Sequence, residues 1–103
     1  MKVRMNFSVN PLEKSGILTF EESLTIQYIA EIKALLEDAI SQVDSVFLDF
    51  ENVKEIDVAG LQVMYSACET ARSLNKVIKN KSNLPPLIQQ ILEQTGFNFW
   101  LRF

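Results

Sequence analysis

SVFLDFENVKEIDVAGLQVMYSACETARSL, residues 45–74, is the stretch whose reading decides the fold. Val46 to Phe50 is a short, nearly continuous apolar run rich in β-forming residues, as expected of a strand buried on both faces. Asp57-Val58-Ala59-Gly60 reads as a turn, and from Leu61 the period changes. Leu61, Met64, Cys68 and Ala71, with Gly60, Ala67 and Leu74 beside them, form one apolar stripe at helical spacing. The order is therefore strand, short loop, helix. A strand end meeting a helix N-terminus offers free backbone N–H groups and partial positive charge, which suits an anion.

The flanking chain extends this unit in both directions. Val3, Met5, Phe7 and Val9 alternate with polar residues and predict a strand with one wet face. Asn10-Pro11 through Ser15-Gly16 predicts a turn, Ile17 to Phe20 a second strand, and the two strands a hairpin. Glu21 to Ser23 reads as a polar connection. Ile26, Ile29, Ile32, Leu36, Ala39 and Val43 then mark a long amphipathic helix, with Thr25 as its N-cap. Val77-Ile78 predicts a short strand. Pro85-Pro86 opens a last helix faced by Leu84, Leu87, Ile88, Ile91 and Leu92 and closed by Gly96. Phe97, Phe99, Leu101 and Phe103 alternate as a final strand or extended tail. Strand–helix alternation after an opening hairpin implies an α/β fold, a mixed sheet with helices packed on it.

Composition narrows the function. A chain of 103 residues, 48% apolar, is expected to form a single domain spanning 1–103 with one core and no need of disulfides or metals. The net charge of −3, with no basic cluster beyond Lys76, Lys79 and Lys81, argues against nucleic-acid binding. There is no histidine to act as base, metal ligand or phosphoacceptor, and the single Cys68 excludes an internal disulfide. Cys68 sits on the inward stripe with no cationic neighbour in view, the setting of an inert thiol. Asp49, Glu51, Glu55 and Asp57 are read as solvated carboxylates rather than a metal site. No catalytic constellation is visible, so no enzymatic activity and no cofactor is expected. Without an apolar leader or a run of membrane-spanning length, a cytoplasmic location is the default expectation.

The run I-D-V-A-G-L-Q, following a buried strand that ends L-D-F, resembles the signature loop of STAS domains, the anti-sigma factor antagonists and their relatives. The resemblance implies a single STAS-like domain, a mixed β-sheet of four to five strands with helices packed on it. In regulatory members the loop reads Asp-Ser-Ser-Gly-Leu, and a partner kinase phosphorylates the second Ser. The matching positions here are Asp57, Val58, Ala59, Gly60 and Leu61, so Ala59 stands at the usual serine position and no phosphorylation is expected there. The implied partner-binding set is Asp57, Val58, Ala59, Gly60, Leu61, Gln62 and Tyr65. Asp57 is equally a helix N-cap, and the two readings are compatible.

Two classes of function follow from the resemblance. One is a bacterial signalling module whose partner is a kinase-like anti-sigma factor or a chemotaxis-type protein. The other is the small STAS subunit that supports the ATPase of a phospholipid-transporting ABC complex, whose loop reads Asp-Thr-Ala-Gly-Leu. Small-ligand binding lacks any phosphate-gripping motif. In the aromatic tail, Trp100 is expected either to close the core or to contact another chain, a second copy included.

Overall fold

The computed structural model describes residues 3–81 and 84–95. Its elements are β1 (Val3–Asn10), β2 (Ser15–Leu24), a 3₁₀ turn (Ile26–Tyr28), α1 (Ile29–Gln42), β3 (Ser45–Ile56), α2 (Val58–Ser73), β4 (Val77–Asn80) and α3 (Pro86–Thr95). The strands stand side by side in the order β1-β2-β3-β4. β1 pairs antiparallel with β2, while β2–β3 and β3–β4 are parallel, joined by α1 and α2 as crossovers. The expected α/β architecture with a mixed sheet is thus observed, and four strands lie among the described residues. The last-strand or tail reading of Phe97, Phe99, Leu101 and Phe103, the Gly96 stop and the contact at Trp100 fall outside the described residues.

The core follows from strand alternation. Leu18 and Phe20 of β2 and Val46, Leu48 and Phe50 of β3 point to the helix-bearing side, where they join Ile32, Leu36, Ala39 and Ile40 of α1. Leu61, Met64, Ala67 and Ala71 of α2 and Ile88 and Leu92 of α3 complete the cluster. The Phe20 and Phe50 rings stack with centroids 5.6 Å apart. The alternate residues Ile17, Thr19 and Phe47 lie on the opposite face of the sheet and stand outside that cluster. The Lys76 ammonium donates to the Ile40 carbonyl, tying the segment before β4 to the end of α1.

Several boundaries differ from the sequence reading, each for a physical reason. β2 does not end at Phe20 but runs through Glu21–Ser23 to Leu24, and β3 continues past Phe50 to Ile56. The two extensions pair with each other, Glu21 with Asn52, Glu22 with Val53 and Leu24 with Ile56, across two register shifts. Glu22 takes a left-handed backbone conformation, φ 69°, beside the second shift. These irregularities replace the alternation of two by buried positions at Phe50, Val53 and Ile56, which conceals a strand from a period-2 reading. Thr25 makes no side-chain cap bond; its hydroxyl is 3.0 Å from that of Ser23. Ile26 is 72% exposed instead of lining the α1 stripe, because the 3₁₀ turn shifts its phase relative to the α-helix.

Candidate functional site

The chain crosses from β3 to α2 through a single residue. Ile56 ends the strand, Asp57 is the N-cap and Val58 is already helical, so the expected four-residue turn is compressed into one capping position. An extended backbone at Asp57 (φ −122°, ψ −178°) lets its carboxylate fold back over the helix start. Oδ1 accepts from the Gly60 amide at 2.9 Å. Oδ2 accepts from the Ile26 amide at 3.0 Å, at the start of the 3₁₀ turn. The Asp57 amide in turn donates to the Leu24 carbonyl at 3.3 Å, and the Leu61 amide donates to the Asp57 carbonyl at 3.1 Å. One residue therefore joins the ends of β2 and β3 to the starts of two helical segments. The chain's own carboxylate takes the Gly60 amide that the helix N-terminus would otherwise offer to an anion.

Gly60 is fixed by crowding. A Cβ there would stand 2.2 Å from the Leu24 carbonyl oxygen, so the helix start lies directly against the end of β2. Beside it, Ser23 is fully buried and donates to Glu55 Oε1 at 2.7 Å. The neighbouring acids are engaged separately. Asp49 is buried, accepts from the Glu51 amide at 3.1 Å and stands 3.6 Å from Lys81 Nζ, while Asp57 caps. Among the described residues no group of carboxylates converges into a metal-binding set.

Each residue of the sequence-derived set can now be placed. Val58 is 44% exposed and Tyr65 43%, and Gln62 is exposed. Asp57 and Ala59 are half-buried. Gly60 and Leu61 face inward, so they position the surface without forming it. Ala59 and Gln62 form one wall of a shallow groove of about 250 Å³, together with Val63 and Ser66. The other wall is Ile26, Ile29 and Lys33, on the 3₁₀ turn and α1. That second wall was not legible beforehand. Ile26 falls three residues before Ile29, spacing indistinguishable from a buried stripe, and its partner across the groove is distant in sequence.

The helix start and groove present aliphatic and aromatic groups, a lysine, amide and hydroxyl groups, and a carboxylate already occupied by two backbone donors. The buried Cys68 thiol belongs to the α2 core face. Loss of solvent pushes its pKa up to about 12 from 9.0, outweighing the lowering influence of Arg72, so it is protonated at neutral pH. No helix among the described residues is long and apolar enough to cross a membrane.

Comparison with known proteins places this geometry. The fold is similar to an anti-sigma factor antagonist from Mycobacterium paratuberculosis, with a TM-score of 0.76 at 8% identity over 95% of this chain and 81% of that one. It is similar to phosphorylated SpoIIAA, a cell-fate determinant of Bacillus, with a TM-score of 0.71 at 14% identity over 94% of this chain and 87% of that one. An anti-sigma factor antagonist STAS domain from Rhodobacter sphaeroides aligns with a TM-score of 0.62 at 15% identity, over 74% and 82% of the two chains. No curated protein matches the chain in sequence. The profile described as "Mlab, STAS domain" matches residues 7–102, which takes in both crossovers, the Asp57 cap and α2. The signature loop, the parallel crossover sheet and this near-complete match agree: the chain belongs to the MlaB-type STAS domain family.

Proposed function

We propose that this chain is a non-enzymatic protein-interaction module of bacterial signalling, similar in role to the anti-sigma factor antagonists, that takes its partner on the start of α2 without phosphoserine control. The observation that carries this reading is the clamped yet outward-facing helix start. Asp57 fixes the backbone through two bonds, while Val58, Gln62 and Tyr65 are presented to solvent. A rigid surface that exposes apolar and aromatic side chains loses little conformational entropy on binding. Ile26 and Lys33 across the groove widen the face on the α1 side. Position 59 is an alanine, so phosphorylation cannot place its charge of about −1.5 to −2 there. Binding is then constitutive or controlled within the partner, in the cytoplasm where such partners reside.

A second reading is favoured by the family description itself, which names MlaB. In that reading the same face supports the ATPase subunit of a phospholipid-transporting ABC complex. One experiment tests both. The wild-type chain and Ala59→Glu are used for affinity capture from the native cell, with partners identified by mass spectrometry. We expect one dominant partner whose recovery falls at least tenfold with the glutamate. A kinase-like anti-sigma factor or chemotaxis protein supports the signalling role, and an ABC ATPase the transport role. Equal capture by both proteins would move the interface away from residue 59.

A further inference from the structure

β1 is an edge of the sheet, pairing only with β2 among the described residues. Free edges in soluble proteins are usually blunted by proline, bulges or charge. The eight residues VRMNFSVN contain no proline, their pairing with β2 has no register shift, and Arg4 is their one charge. Arg4 is 3.8 Å from Glu21 on the neighbouring strand. The helix-side face of β1 is also incompletely covered. Phe7 and Met5 are half-buried, whereas their partners Leu18 and Phe20 on β2 are fully buried. Val9 is 42% exposed, and Leu12 in the adjoining turn is 97% exposed. The core thus ends at this edge with apolar side chains half in water.

We infer that β1 is a homodimer edge, with two copies of this chain joining β1 to β1 antiparallel about a two-fold axis at Asn6, merging their sheets into one. The occupant follows from self-complementarity. Opposed residues in an antiparallel pair share a face, so the two-fold axis passes through a residue. An axis at Met5 leaves Val9 outside the pairing, one at Phe7 leaves Val3 outside, and one at Arg4 sets two guanidinium groups against each other. An axis at Asn6 pairs Val3 with Val9 and Met5 with Phe7 on the helix side. On the open face it pairs Arg4 with Ser8, and Asn6 with its own copy, whose amide both donates and accepts. This register matches all four apolar residues and opposes no like charges. It is independent of the partner face, since no residue of β1 lines the groove beside α2.

The test is sedimentation velocity on the full chain over a dilution series. The wild type is expected at twice the 11.8 kDa chain mass at its upper concentrations. Ser8→Lys sets a lysine against Arg4 and is expected to sediment as a monomer with an unchanged circular dichroism spectrum. Ser8→Glu supplies a carboxylate to the same arginine and is expected to keep the dimer to at least as great a dilution as wild type. Val77→Lys on β4 is expected to leave the dimer intact. A wild-type monomer throughout overturns the proposal. So does a dimer indifferent to Ser8→Lys, a dimer lost equally with lysine and glutamate, or one lost only with Val77→Lys.

Discussion

A methyl group at position 60 would meet the Leu24 carbonyl oxygen at 2.2 Å. In an isolated helix, replacing glycine by alanine gains about 1 kcal/mol. Here the contact reverses the sign, because the atom met is a backbone carbonyl oxygen and not the end of a flexible side chain. Gly60→Ala is expected to destabilise the fold by about 1–3 kcal/mol, read as a lower midpoint in urea denaturation. A higher midpoint would mean that β2 yields at Leu24. The sequence places Gly60 in the turn before α2 but does not show that it lies against Leu24, which belongs to another strand. Ile26 shows the opposite failure, an isoleucine at helical spacing that lies on the surface. The periodicity is genuine, but the backbone winding around residues 26–28 is not α-helical.

At the level of elements, the clamp on Asp57 couples α2 to the 3₁₀ turn before α1. A lost N-cap alone costs about 1 kcal/mol, and an unpaired Ile26 amide adds to it. Asp57→Ala is therefore expected to lower the unfolding free energy by about 2 kcal/mol, with Asp57→Asn near half that loss, measured by equilibrium denaturation. An asparagine as stable as wild type would show that the second acceptor oxygen contributes nothing. The cap was legible because an aspartate preceding an apolar helix has few other uses; its second bond was not, because it joins segments far apart in the chain. The extended halves of β2 and β3 were hidden for a related reason. Bulges put Val53 and Ile56 in the core at a spacing of three, so strand pairing, not residue alternation, identifies them.

For the whole molecule, the βαβ alternation could be read directly, because Leu18, Phe20, Val46 and Leu48 are apolar at strand period while Leu61, Met64 and Ala71 repeat at helical period; the one-sidedness of the core could not, since the apolar run Val46–Phe50 reads as buried on both faces while Phe47 stands outside the core cluster. The same core sets a pH dependence. Above pH 9 the unfolded Cys68 thiol ionises, while the folded one keeps its proton until about pH 12. The unfolded state then binds fewer protons, so stability falls as pH rises through that window, by about 1.4 kcal/mol per pH unit from this group. Below pH 9 the contribution is constant. Denaturation of wild type and Cys68→Ala at stepped alkaline pH is expected to show their stability difference shifting against wild type at this slope; parallel curves would mean that the thiol already reaches solvent. Finally, among the described residues spatial strand order equals chain order, β1-β2-β3-β4. Among the described strands, none has to wedge between two already paired. As the nascent polypeptide leaves the ribosome, β2 finds β1 already present, β3 finds the hairpin, and β4 finds β3. Synthesis from the N-terminus can therefore add each described strand to the edge left by the one before it.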